Sequence, residues 1–239
     1  MKPIVISFYS DIEGKDYYSR NAKRLMKELD DLDIEYDIQE KESLGDYRSN
    51  CLSKPKYILD KMKELNRPVI WLDIDSRVHR KLKAFDSLQS GVDVVFSSST
   101  KEQLDEVSQT EQAAFISDEF KLKMLINGMK ASPLYFGNTQ RSIDFLNSWC
   151  NETESMNFRQ DPRFDHEPLF PLFMQWLKLE GIRIQCVGTD YCTWPRNTTT
   201  KTVITMGLAD SETKKEKLRE MGLQEEHIEW QSGGDKEHV

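Results

Sequence analysis

One stretch governs what this chain can become: residues 67–78, RPVIWLDIDSRV. Val69, Ile70, Trp71 and Leu72 form an unbroken apolar run behind Pro68. A run of this kind, β-rich and opened by a turn former, reads as a strand buried on both faces of a parallel sheet. It then breaks into Asp73-Ile74-Asp75. On an extended backbone, two carboxylates one residue apart point to the same side. At the carboxyl end of a parallel strand they stand where open α/β sheets bind ligands. Such a pair repels itself and resists desolvation, and a cation beside it resolves both problems. Hard oxygen donors suit Mg²⁺ or Mn²⁺, ions that often take phosphate oxygens as their remaining ligands. Taken alone, the segment also fits a strand that ends in a solvated acidic turn.

The chain around this stretch alternates strands and helices. Ile4, Val5, Ile6 and Phe8 mark a first strand, ending in Tyr9-Ser10-Asp11. Leu25, Leu29 and Leu32 mark one face of a helix. Ile34, Tyr36 and Ile38, alternating with acidic residues, mark a strand near a sheet edge. After a polar loop over 40–53, Pro55 suits the first turn of a helix whose buried stripe is Ile58, Met62 and Leu65. The order β-α-β-α-β predicts an α/β fold with a parallel sheet and right-handed crossovers. Further on, 92–96 reads as a fourth strand and 100–118 as a polar, flexible loop or lid. Leu134, Tyr135 and Phe136 read as a short strand closed by a turn at Gly137-Asn138. Helices are expected around Phe145, Leu146 and Trp149 and over 169–179, with last strands over 182–187 and 202–206. A helix over 213–221 and a polar tail from 224 complete the expectation.

Charge narrows the partners. With a net charge of −8 and no basic block, the chain is not expected to bind nucleic acid. An anionic substrate would need a local device such as a metal ion. Cys51, Cys150, Cys186 and Cys192 form no C-x-x-C pair and read as reduced thiols of an intracellular protein. No apolar run reaches transmembrane length. The opening MKPIVISFYSD lacks the apolar core of a signal peptide, so a soluble, cytoplasmic protein is expected.

In order, the strand, helix, edge strand, loop, Lys-Pro helix and apolar strand into D-x-D resemble the GT-A class of nucleotide-sugar glycosyltransferases. The resemblance is carried by SNCLSKPKYILDKMKELNRPVIWLDIDSRV (49–78), LYFGNTQRSIDFLNSW (134–149) and FDHEPLF (164–170), and extends over most of 2–207. It implies a Rossmann-like, mostly parallel central sheet flanked by helices, in a single catalytic domain over 1–210. Its nucleotide-binding part would span about 1–100 and its acceptor part about 101–210, with 211–239 a terminal helix and tail. It also implies a sugar moved from a nucleotide-diphosphate donor, a UDP-sugar, to a glycan or small hydroxyl acceptor. Asp75 would ligate Mn²⁺ or Mg²⁺ directly, and Asp73 would contact the ribose or the metal shell. Such an ion neutralises charge developing on the leaving diphosphate.

The remaining implied roles each have a plainer alternative. Phe8, Tyr9 and Ser10 would hold the base, an aromatic face lying on uracil; core packing accounts for Phe8 and Tyr9 equally well. Lys54 would meet phosphate at a helix N-terminus, or be merely solvated; Arg48 and Asn50 share its loop. Gly137 and Asn138 would lie near the donor sugar, although backbone geometry alone explains a glycine there. Asp165 and Glu167 would flank the donor sugar or acceptor, either one serving as base; a helix N-cap with a first-turn acid is the alternative. Trp194, Pro195 and Arg196 would form an acceptor wall or a packed turn.

One departure is expected to matter. Many GT-A enzymes add a histidine ligand from the C-terminal region, but none of His79, His166, His227 and His238 falls at TVITMG. Metal is therefore expected to bind weakly without donor. Two rivals remain at this level. The haloacid dehalogenase phosphatases use an hhhhDxDx[TV] strand, although theirs opens the core, whereas two strands precede this one and Arg77 holds the Thr/Val place. A non-catalytic GT-A-like binding domain is the other.

Overall fold

The computed structural model describes residues 1–11, 16–88, 91–110, 117–179, 181–194 and 197–206. Pro195, Arg196, the helix expected over 213–221 and the tail lie outside the described residues. The first half runs β1 (Ile4–Tyr9), α1 (Tyr17–Asp31), β2 (Tyr36–Glu40), α2 (Tyr47–Leu52), α3 (Lys54–Leu65), β3 (Val69–Trp71), β4 (Arg77–Val78), α4 (Lys83–Asp86) and β5 (Val94–Ser98). The second half runs α5 (Lys101–Ser108), α6 (Asp118–Asn127), β6 (Met129–Phe136), α7 (Gln140–Phe158), α8 (Leu169–Leu179), β7 (Ile184–Val187), β8 (Cys192–Thr193) and β9 (Ile204–Thr205).

The main sheet has the order β2-β1-β3-β6-β5-β7, and a small second sheet has the order β4-β9-β8. In the main sheet β1 pairs in parallel with β2 and β3, and β5 with β7. Only β6 is reversed, antiparallel to both β3 and β5. The apolar run of β3 behaves as a strand buried on both faces must. Val69 and Trp71 enter one core with Ile58, Met62, Phe145, Trp149 and Phe173. Ile70 and Leu72 enter the other with Leu25, Leu29, Phe85 and Ile204. An α/β architecture with helices on both faces of a mostly parallel sheet is thus observed as expected. Among the described residues no helix is long and apolar enough to cross a membrane.

Three expectations are corrected. The region read as a polar loop over 40–53 contains α2, which buries Leu52. The region read as a polar loop over 100–118 contains α5, which buries Leu104 against the fold. The short strand at Leu134 is the end of the eight-residue β6, whose earlier residues alternate in the unexpected sense: the polar Lys130 and Ser132 are buried, and the apolar Met129 and Ala131 only half-buried. The consequence is positional. The carboxyl ends of β1, β3, β5 and β7 share one edge of the sheet, and β6 begins there, Met129 lying opposite Ser98. Gly137 follows Phe136, which pairs with Val69 and Val94, the first residues of β3 and β5. Gly137 and Asn138 therefore lie at the opposite edge.

Candidate active site

The acid pair sits in a turn. The Ser76 N–H donates to the Asp73 carbonyl at 2.9 Å, so the backbone turns at Ile74 and Asp75, directly after Asp73. The expectation that strand periodicity aligns Asp73 and Asp75 is corrected on this point: a tight turn at the strand end presents them. Asp73 is anchored at both ends. Its N–H donates to Ser132 Oγ at 2.9 Å, and its Oδ1 accepts from Trp71 Nε1 at 2.8 Å.

Lys54 completes the cluster. α2 begins at Asp46, whose carboxylate accepts the Ser49 N–H at 2.8 Å, and it runs into α3 through a shared Ser53. Lys54 stands at this joint, followed by Pro55, and its side chain turns inward, leaving the residue 8% exposed. Its Nζ lies 2.8 Å from Asp165 Oδ2, 3.2 Å from Asp73 Oδ1 and 5.5 Å from the centre of the Trp71 ring. Burial alone would lower the pKa of this ammonium, but Asp165 and then Asp73 raise it above the ordinary lysine value. Lys54 is thus a protonated, buried bridge between the acid turn and the later acidic motif.

Asp165 is itself 3% exposed. Trp149 Nε1 holds its carbonyl at 2.6 Å, and its carboxylate meets Lys54, so it is not the helix cap of the alternative reading. Glu167 is exposed and accepts the Phe164 N–H, a local turn contact. Beside them, neighbouring Cys51, burial, Asp75 and Asp165 together raise the Tyr47 hydroxyl well above its ordinary value. Burial, with Asp165 next, pushes the Cys51 thiol up to about 12. Asp75 and Asp165 thus both act on Tyr47.

The other expected site residues make the following contacts. Phe8 is at the right edge, but its ring packs at 5.1 Å from Tyr57 and 5.5 Å from Trp71, which is the core alternative. The Tyr9 hydroxyl reaches Glu40 at 3.5 Å and Ser10 Oγ donates to the Lys41 carbonyl at 2.8 Å. Arg48 donates to the main-chain carbonyls of Met156 and Asp161, pinning α2 to the end of α7. Asn50 organises its own loop through Leu44 and Ser43. Gly137 and Asn138 are removed from the site: the Gly137 N–H binds the Asp93 carbonyl at 2.8 Å, and Asn138 binds Asn66. A Cβ at Gly137 would stand 2.2 Å from the Val92 carbonyl oxygen, so close packing explains the glycine. Sequence reading assigns Trp71, Ser132, Trp149 and Tyr47 no site role: Trp71, two residues before Asp73, reads as strand core, and Ser132 and Trp149 are revealed by partners distant in sequence.

Among the described residues no group of three or more His, Cys, Asp or Glu side chains is placed to hold a metal. The two turn carboxylates nevertheless fit a hard cation of the open kind. Asp73 engages its partners through Oδ1, which leaves Oδ2 as a ligand, and Asp73 and Asp75 are both partly exposed. Such a pair suits an ion that completes its shell with phosphate oxygens and water.

No protein-family model matches the sequence, and a sequence search of curated proteins finds no match. Similarity is found among solved structures. A glycosyltransferase involved in the glycosylation of the major capsid of PBCV-1 superposes with a TM-score of 0.59 at 11% identity, covering 95% of this chain and 100% of that one. The galactosyltransferase LgtC, solved with donor and acceptor sugar analogues, gives a TM-score of 0.49 at 11% identity, covering 99% and 98%. The apo glycosyltransferase GlyE of Streptococcus pneumoniae gives 0.49 at 12% identity, covering 96% of this chain and 63% of that one. At these identities what is shared is the architecture, and the first similarity is strong enough to establish it. This chain has the GT-A glycosyltransferase fold.

Proposed function

We propose that this chain transfers a sugar from a nucleotide-diphosphate donor, a UDP-sugar, to a hydroxyl acceptor on a glycan or small molecule. The observation that carries the reading is the Lys54 bridge, which draws Asp73 and Asp165 together at the carboxyl edge of a GT-A sheet. Burying Lys54 and Asp165, with Asp73 half-buried beside them, costs desolvation that well-packed apolar side chains would avoid. A cluster of this kind, at the edge where such sheets bind ligands, is better explained as a site than as a strut.

In this reading Asp75 and Oδ2 of Asp73 hold Mg²⁺ or Mn²⁺, which when bound supplies positive charge for the leaving diphosphate. The protein's own contribution is positioning. Trp71 and Lys54 fix the Asp73 carboxylate through Oδ1, so that the other oxygen faces the donor. Lys54 holds Asp165 by one oxygen, and the second is left to accept a hydrogen bond from a donor-sugar hydroxyl. Glu167, exposed, is the carboxylate with access to the acceptor's proton. Tyr9 and Ser10 border the base from the end of β1. The phosphatase alternative loses its footing, because the acid strand is the third of the chain and lies within a GT-A sheet.

Thermal-shift screening of UDP- and GDP-sugars with and without Mn²⁺ tests the reading, since a ligand that binds only folded protein raises its apparent stability. A UDP-sugar is expected to raise Tm when Mn²⁺ is present. A protein whose Tm no nucleotide sugar moves, or one that hydrolyses a generic phosphate ester instead, would overturn it.

A further inference from the structure

A second lysine is buried at the same edge. Lys130, near the start of β6, is 7% exposed. A lysine so placed needs a counter-charge, or it tends to give up its proton. Lys54 has two carboxylates; Lys130 has none among the described residues. Its ammonium donates to the main-chain carbonyl of Cys192, and among the described residues no carboxylate lies within ion-pairing distance of it. Glu102 on α5 acts from farther off, and its carboxylate is already engaged by the N–H groups of Thr189 and Asp190. Burial accordingly lowers the pKa of Lys130, and Cys192 and Glu102 oppose the shift only in part.

The position of this amine is specific. Two residues along β6, Ser132 accepts the Asp73 N–H at 2.9 Å. Cys192, whose carbonyl Lys130 holds, places its thiol 3.7 Å from the Ser132 carbonyl. Lys130 thus forms part of the floor beside the acid turn, reaching it from β6, whereas Lys54 reaches it from α3. In the ligand-free protein an uncompensated buried cation only costs stability, so its presence here is explained by an anion that arrives. With the Cys192 carbonyl taking one of its three N–H donors, two remain for that anion.

We propose that Lys130 binds an anionic oxygen of the donor, either a phosphate oxygen of its diphosphate or the carboxylate of an acidic sugar. The inference rests on reading the acid turn as the donor site. Calorimetric titrations of uridine, UDP, UDP-glucose and UDP-glucuronate, with Mn²⁺ present, into wild type, Lys130→Met and Lys130→Arg test it. If the contact is to phosphate, Lys130→Met weakens UDP and both sugar nucleotides about tenfold or more, leaves uridine unchanged, and is partly rescued by arginine. If the contact is to the sugar, only UDP-glucuronate weakens. In either case the Tm of Lys130→Met stays level or rises, because a buried amine with no counter-charge has been removed. A Lys130→Met protein with wild-type affinity for every ligand overturns the inference, most plainly if its Tm falls, which would mark Lys130 as a structural strut. Wild type that binds none of the phosphate-bearing ligands would remove the donor reading and this inference with it.

Discussion

Lys54 shows what a single residue can and cannot disclose. The sequence singles out Asp73, Asp75 and Asp165 as acids in suggestive places, and a lysine in a polar loop. That the lysine is buried between two of those acids is a long-range fact with no local signature. The bridge has a measurable signature. Lys54→Met leaves Asp73 and Asp165 facing each other without a cation, which is expected to cost about 3 kcal/mol in urea unfolding, the low end for a broken buried pair. Asp165→Asn added to Lys54→Met should recover part of that loss, because the members of one cluster are not additive. Strict additivity would show that the bridge is not energetically coupled. Alkaline pH probes the same neighbourhood. The Lys54 pKa is raised in the fold, so its contribution is complete below the ordinary lysine pKa and is lost only as pH climbs through the folded value. Burial pushes the Cys192 thiol up to about 12, so its share is complete below the ordinary thiol pKa and falls away above it. Stability should therefore be flat between about pH 7 and 8 and decline from about pH 9, by roughly 1.4 kcal/mol per pH unit for each such group. A decline between pH 7 and 8 that Cys192→Ser leaves unchanged would contradict this.

Secondary-structure elements were legible where periodicity is strong. The first strand, the Leu25–Leu29 helix, the Pro55 helix and the acid strand all stand where their apolar spacing puts them, since each buries a continuous face. Several elements escaped, among them α2 within the stretch read as a polar loop, and α6. α5 is short and mostly polar, with Leu104 its one buried residue. β6 begins in a short Met-Lys-Ala-Ser run whose polar members are the buried ones, with Met129 paired to Ser98 of β5. The reversal of β6 is what displaces Gly137 from the site: a strand running the other way carries its C-terminal turn to the far edge. Gly137→Ala is accordingly expected to destabilise by about 2 kcal/mol through overpacking against the Val92 carbonyl, with nucleotide affinity unchanged. Loss of UDP affinity in a variant of normal stability would return Gly137 to the donor site.

At the scale of the whole molecule, the strand order places the acid turn, Tyr9, Ser10, Lys130 and the α2–α3 joint along one edge. The resemblance seen in sequence anticipated that architecture, because the buried central strand and its flanking helices are its most redundant features. The site was less legible: the acids were visible, whereas the residues that orient them come from β6, α7 and α3 and meet only in the fold. The claim on which the rest depends is that the acid turn grips a diphosphate through a divalent ion. Calorimetric titration of UDP into wild type and Asp75→Ala, each with and without Mn²⁺, tests it most directly. The expected result is UDP binding by wild type only with Mn²⁺, weak Mn²⁺ binding without UDP, and no UDP binding by an Asp75→Ala protein that melts close to wild type. UDP bound equally well by Asp75→Ala, or by wild type stripped of divalent ions, would contradict it.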